Sequence, residues 1–115
     1  MLDDYAALIG GGRVHVVARD DVVQGLLVLI PQDAAMLLDN VAVTPEAQGL
    51  GLGRVLMKFA ERAAIAAGYP AITLYTHETM VENIVLYQRI GYAETHRIEE
   101  GGFRRVYMRK PLSIV

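Results

Sequence analysis

Cysteine is missing from the chain altogether, which excludes disulfides, thiolate metal sites and a cysteine nucleophile. No segment gathers lysines and arginines into a basic run, and the formal net charge is -2. The electrostatic footprint of a nucleic-acid binder is therefore not expected. Long apolar runs are lacking too. The longest, Val22 to Ile30, is interrupted by Gln24 and Gly25 and falls far below the ~20 residues that cross a bilayer. The chain starts Met1-Leu2-Asp3-Asp4, acidic where a signal peptide would be basic. The expectation is a cytoplasmic protein with no nucleic-acid or membrane partner. The three histidines, His15, His77 and His96, are too dispersed for metal-ligand spacing, so no metal is expected.

The 115 residues suit one domain with one core, residues 1–115, and 53% are hydrophobic, slightly above the usual range. That fraction fills a core and leaves some apolar surface for a partner subunit. No internal repeat, low-complexity tract or linker divides the chain. Residues 3–9 read as one or two helical turns, broken by Gly10-Gly11-Gly12. Three valine- and leucine-rich strands follow: Arg13 to Arg19, Val22 to Ile30 and Met36 to Val43. Asp20-Asp21 is the first hairpin turn. The period then changes. Leu52, Leu56, Phe59, Ala60, Ala63 and Ala67 fall on one face of a helix over Gly53 to Ala67, terminated by Gly68. Ala71 to Tyr75 reads as a buried strand, Thr79 to Ile90 as a second helix, and Tyr92 to Ile98 and Phe103 to Lys110 as two strands joined by Glu99-Glu100-Gly101-Gly102. The mixture predicts an α/β (α+β) architecture, a sheet covered by helices.

The segment richest in chemistry runs from Val41 to Arg54, where a strand enters a glycine-rich turn that opens a helix. Alternate glycines let backbone N–H groups approach an anion without a Cβ in the way. The helix start adds unsatisfied donors and the positive end of the macrodipole. Arg54 and Lys58, one turn apart, would each oppose that dipole by roughly 0.3–1 kcal/mol, an effect a bound polyanion reverses; otherwise both are solvated surface residues. A Walker loop is ruled out, because no Gly-Lys-Ser/Thr ends the run. A dinucleotide fingerprint also fails: Arg54 stands where its third glycine should be.

Gln48-Gly49-Leu50-Gly51-Leu52-Gly53 resembles the Q/R-x-x-G-x-G/A loop of the GNAT N-acetyltransferase superfamily. A second block, Asn83-Ile84-Val85-Leu86-Tyr87-Gln88-Arg89-Ile90-Gly91-Tyr92, resembles that family's leucine-tyrosine helix and glycine-aromatic junction. Tyr107-Met108-Arg109-Lys110 is similar to its last strand. The resemblance covers roughly residues 13–112. It implies the GNAT fold: a central mixed, mostly antiparallel sheet flanked by helices. The implied activity is acetyl transfer from acetyl-coenzyme A (acetyl-CoA), as cosubstrate, to a primary amine of a small molecule or peptide. Val41, Ala42 and Val43 would meet the pantetheine arm by main-chain hydrogen bonds. The loop Gln48, Gly49, Leu50, Gly51, Leu52, Gly53 and Arg54 would hold the pyrophosphate.

By the same resemblance, Tyr87 stands at the position of the general acid that serves the departing thiolate; a core tyrosine on an amphipathic helix is the competing reading. Asn83, one turn earlier, would contact the coenzyme arm or serve as a surface or cap residue. Leu37 occupies the position where some members carry a basic glutamate. Asp39, two residues along on the same strand face, is the candidate base. His77 is a base candidate or a turn residue. Few residues precede the first predicted strand, so the family's N-terminal strand and helices are expected to be shortened. That would leave Arg13 to Arg19 and Phe103 to Lys110 with uncovered edges or faces, and a homodimer is expected to cover them. The alternatives are a non-catalytic acyl-CoA binding or regulatory module, and an interaction domain that lost the cofactor.

Overall fold

Asp20 and Asp21 both adopt positive φ, 53° and 65°, the left-handed pair that matches a two-residue hairpin turn to the twist of its strands. That turn starts the sheet. A computed structural model describes residues 6–9, 14–45, 49 and 51–113. Its elements are β1 (Ala6–Ile9), β2 (Val14–Arg19), β3 (Val22–Pro31), β4 (Met36–Val43), α1 (Leu52–Ala66), β5 (Ala71–His77), α2 (Val81–Arg89), β6 (Ala93–Glu100) and β7 (Phe103–Pro111). The seven strands form one sheet in the order β1-β2-β3-β4-β5-β7-β6. Every neighbouring pair is antiparallel except β4 and β5.

Side chains alternate along these strands, and one set makes the core. Leu27, Leu29, Ile72, Val106 and Met108 are essentially inaccessible to solvent. Onto them α1 lays Leu56, Ala60 and Ala64, spaced by four along a single stripe. Gly25 of β3 allows this contact. A Cβ there would come within 3.1 Å of both the Ala42 carbonyl oxygen and Leu56 Cδ1, so the helix seats where any side chain would collide. Ala67, expected on the apolar face, is exposed at the helix end, where Gly68 (φ 87°) turns the chain. Ile84, Tyr87 and Ile90 of α2 pack against the same core, which puts both helices on one side. Among the described residues no helix covers the other face.

Two features open the sheet at its middle. The parallel ladder joins only Met36–Leu38 to Ile72–Leu74. The pairing of β3 with β4 also slips, so that Leu38 and Asn40 oppose successive residues Leu29 and Val28. Asp39 is the additional residue of a β-bulge, which bends its strand. The slip reverses the faces beyond it. Leu37 and Asp39 point away from the helices, whereas Val41 and Val43, paired with Leu27 and Gly25, point towards them.

Three expectations need correction. Residues 6–9 form a strand that pairs with β2, not helical turns, because an open valine edge is better satisfied by a ladder than by an isolated short helix; residues 3–5 lie outside the described residues. Consequently neither segment expected to leave an edge or a face uncovered is an edge, and only the sheet face away from the helices is left without a helix among the described residues. Within Arg13 to Arg19, Val14 to Val17 pair with β1, and β7 lies between β5 and β6. The sheet ends instead at β1 and β6. The last hairpin is also tighter than predicted: Glu99 and Glu100 continue β6, leaving Gly101-Gly102 as the turn.

Candidate active site

The start of α1 has donors to spare. Its first intrahelical bond from the loop side is Val55 N–H to the Gly51 carbonyl at 3.2 Å. The amides of Leu52, Gly53 and Arg54 therefore lie ahead of the helical ladder. Among the described residues no side chain caps this end, and no acidic residue occupies the first turn. Gly49 and Gly51 take φ of 86° and 78°. An added Cβ at Gly49, Gly51 or Gly53 would meet nothing within 4 Å among the described residues, which leave the space before the helix open. Donors, dipole and room together fit a diphosphate. Gln48 and Leu50, assigned to the same loop from the sequence, lie outside the described residues.

A groove continues from this loop. Val43, Gly49, Gly51, Leu52, Gly53, Arg54 and Leu86 line its outer part, of about 430 Å³. Gly53, Arg54 and Leu86 are shared with an inner part of about 140 Å³, closed by Val41, Met57, Tyr87 and Ile90. The structure thus brings together Val41, Val43, the glycine turn, Arg54 and Tyr87. Asn83 lines neither part, although it sits one turn before Tyr87; Leu86 takes that place. Burial pushes the Tyr87 phenol above its ordinary pKa. Its ring meets Tyr92 edge-on at 6.0 Å. Tyr92 is 2% exposed, its hydroxyl has no hydrogen-bond partner among the described residues, and burial followed by the nearby Glu61 charge pushes its pKa up strongly.

Asp39 opens onto the opposite face. A cleft of about 630 Å³ there includes Leu37, Asp39, Thr73, Tyr75, Arg105, Tyr107 and Arg109. The Tyr75 hydroxyl donates to Asp39 Oδ1 at 3.0 Å, spanning the point where β4 and β5 stop pairing. Burial, and then this bond to a carboxylate, raise the Tyr75 pKa. The Arg105 guanidinium lies 4.8 Å over the Tyr75 ring. Tyr107 stacks on His96 with centroids 4.5 Å apart. Sequence reasoning missed Tyr75, Arg105, Tyr107 and Arg109. For the three on β7 the signal was the polar alternation against buried Val106 and Met108, in a strand that the resemblance covered without assigning it a role; Tyr75 on β5 carried no signal.

His77 behaves as a turn residue. Its Nδ1 accepts the Thr79 N–H at 3.1 Å and lies 2.7 Å from Thr79 Oγ1, while its ring packs edge-on against Phe103. That fixes the entry to α2 rather than presenting a base to the cleft. Among the described residues no cluster of three or more His, Asp or Glu could hold a metal ion, and no helix is long and apolar enough to cross a membrane.

Comparison with known proteins bears on the family and the fold. Residues 10–94 match a family model described as "Acetyltransferase (GNAT) domain". A mycothiol acetyltransferase of Jonesia denitrificans is 34% identical over 67 residues, covering 58% of this chain and 21% of that protein. The chain thus spans about a fifth of that relative's length. Among solved structures, nourseothricin acetyltransferase superposes with a TM-score of 0.78 at 25% identity, covering 88% of this chain and 65% of that one. A GNAT family acetyltransferase from Elizabethkingia anophelis with acetyl-CoA bound gives 0.75 at 22% identity, covering 86% and 75%.

Proposed function

Because this chain belongs to the GNAT acetyltransferase family, we propose that it is an N-acetyltransferase, residues 1–115 acting as one catalytic domain that moves the acetyl group of acetyl-CoA to a primary amine. The observation that carries this reading is the gap between β4 and β5. Beyond the end of the ladder that joins them, Val41 of β4 lines the helix-side groove together with Tyr87, while Asp39 lines the cleft on the other face. A donor lying in the helix-side groove and an acceptor entering from the open face would meet there.

The amides of Leu52, Gly53 and Arg54, with the Arg54 side chain, would hold the diphosphate, and Gln48 and Leu50 would complete that loop. The main chain of Val41, Ala42 and Val43 would run beside the pantetheine arm. Leu86, 44% exposed, would be covered by the same arm, and Asn83 would act only at its margin. The thioester supplies an acetyl carbon that an amine attacks, with a thiolate leaving. Asp39, oriented by Tyr75, would take the proton from the amine. Tyr87 would donate to the departing sulfur. Burial raises its pKa, and even an ordinary phenol is a weaker acid than a thiol, so full transfer is uphill and its contribution is a hydrogen bond formed as charge develops.

The test is release of free thiol from acetyl-CoA in the presence of an amine panel. Release with at least one amine, lost on heating the protein, is the expected result. Thermal stabilisation by acetyl-CoA without release from any amine would leave a binding module. We also propose a cytoplasmic homodimer. Its support is the exposed apolar pair at the β6–β7 hairpin, Ile98 at 37% and Phe103 at 59%. The charged β6 edge, with Arg97 bonded to Glu94 and Glu78, disfavours strand-to-strand pairing. Sedimentation equilibrium decides it: a single active species at 12.6 kDa excludes the dimer.

A further inference from the structure

The open-face cleft carries its own charge pattern. Two guanidiniums, Arg105 and Arg109, and one carboxylate, Asp39, line it. Arg105 is already engaged, by the Tyr75 ring at 4.8 Å and by Glu100 at 3.8 Å. Arg109 has no carboxylate within salt-bridge reach among the described residues. The sheet register fixes its position. Leu37, Thr73 and Arg109 make one row across β4, β5 and β7. Tyr75 and Tyr107 make the next row, level with the gap at Asp39. Two strand spacings across and one side-chain repeat along separate the Asp39 and Arg109 backbones by about 12 Å. Both residues line the same cleft. A long arginine side chain reaching towards Asp39 would shorten that separation to the scale of an amino group and a carboxylate on one small molecule.

Resting on the acetyltransferase reading, we propose that the acceptor is a small amine that also carries a carboxylate, of the amino-acid type, with its amino group at Asp39 and its carboxylate on Arg109. A fork of N–H donors matches a carboxylate in a bidentate way. The excess of guanidinium charge repels polycations: spermidine would bring several ammonium groups against one carboxylate and two arginines. Tyr107, stacked on His96 between the two arginines along β7, supplies a flat apolar wall for the acceptor's carbon atoms. Arg109 acts here by holding substrate. It takes no part in the proton transfers.

The experiment compares thiol release from acetyl-CoA with three acceptor sets: L-amino acids, the matching L-amino acid amides, and spermidine. The intact chain, Arg109→Gln and Arg109→Lys are each measured, and acetyl-CoA binding is followed separately by thermal shift. The expected result is preference for the acids. Arg109→Gln lowers kcat/KM for the acids about 10- to 100-fold, mostly through KM, and leaves the amides unchanged. Arg109→Lys keeps the charge and recovers part of the loss. All three proteins keep the same acetyl-CoA shift. Preference for amides or spermidine overturns the proposal. So does an equal loss for acids and amides in Arg109→Gln, or no turnover of the acids while acetyl-CoA still stabilises the protein. Absence of both the acetyl-CoA shift and all turnover instead overturns the acetyltransferase reading beneath it.

Discussion

Replacing Gly53 by valine tests the diphosphate site without disturbing the fold. Gly53 sits in the first turn of α1, with an ordinary helical backbone and open space where its Cβ would be. It lines both parts of the groove. Gly51 is the less useful choice, since its φ of 78° would strain any branched residue. Valine at 53 should be slightly better than glycine for the empty protein, by a few tenths of a kcal/mol in helix propensity. For a domain of this size that raises Tm by about 1–2 °C. Acetyl-CoA at a hundred times its dissociation constant stabilises the original protein by about 2.7 kcal/mol, or on the order of 10 °C. Branched carbons against the diphosphate, blocking the Gly53 and Arg54 amides, remove two charge-assisted hydrogen bonds at roughly 1.5–3 kcal/mol each. A hundredfold weaker affinity leaves only about 0.4 kcal/mol at the same concentration, a shift near 2 °C. Differential scanning fluorimetry with and without acetyl-CoA reads both numbers. A valine variant that keeps the full shift would falsify the assignment of this helix start to the cofactor.

Tyr87→Phe should leave the acetyl-CoA shift intact and lower kcat by about 10²-fold or more, measured where chemistry limits the rate; an unchanged kcat would make Tyr87 a packing residue. Gly25→Ala should cost about 1–3 kcal/mol in urea denaturation, because its methyl meets the Ala42 carbonyl and Leu56 at 3.1 Å; no loss of stability would mean that α1 can shift freely. Tyr92→Phe should stabilise the protein at pH 7 by about 1 kcal/mol, since it removes a buried hydroxyl without a partner. Its pH dependence has a definite sign. Burial raises the folded-state pKa of Tyr87 and Tyr92, so their contribution is complete below the unfolded value near 10 and declines as pH rises beyond it. The alkaline decline should be shallower in Tyr92→Phe, and an identical slope would count against burial as the cause.

Much of the architecture could be read without coordinates. The change of apolar period at Leu52 marks α1, the Asp20-Asp21 pair marks the hairpin between β2 and β3, and the glycines before Arg54 mark the start of a helix. These are local properties: helical periodicity, turn dihedrals and the lack of a Cβ act over a few residues, and the sequence states them directly. The N-terminal segment defeated that logic. Nothing in Ala6–Ile9 alone distinguishes a short helix from a strand, and the open edge of β2 decided it.

The candidate site divides in the same way. Tyr87, the glycine turn and Asp39 could be proposed from the sequence one by one. The open-face cleft could not, because Asp39, Tyr75, Tyr107 and Arg109 come from three strands separated by up to 70 residues. Two tertiary facts bring them together: the parallel ladder that ends after Leu38 and Leu74, and the bulge that makes Asp39 the additional residue of β4. A bulge exists only relative to a neighbouring strand. The sequence therefore determined which residues could bind an anion and serve a departing thiolate, while strand pairing decided where the sheet opens and which charges face the gap.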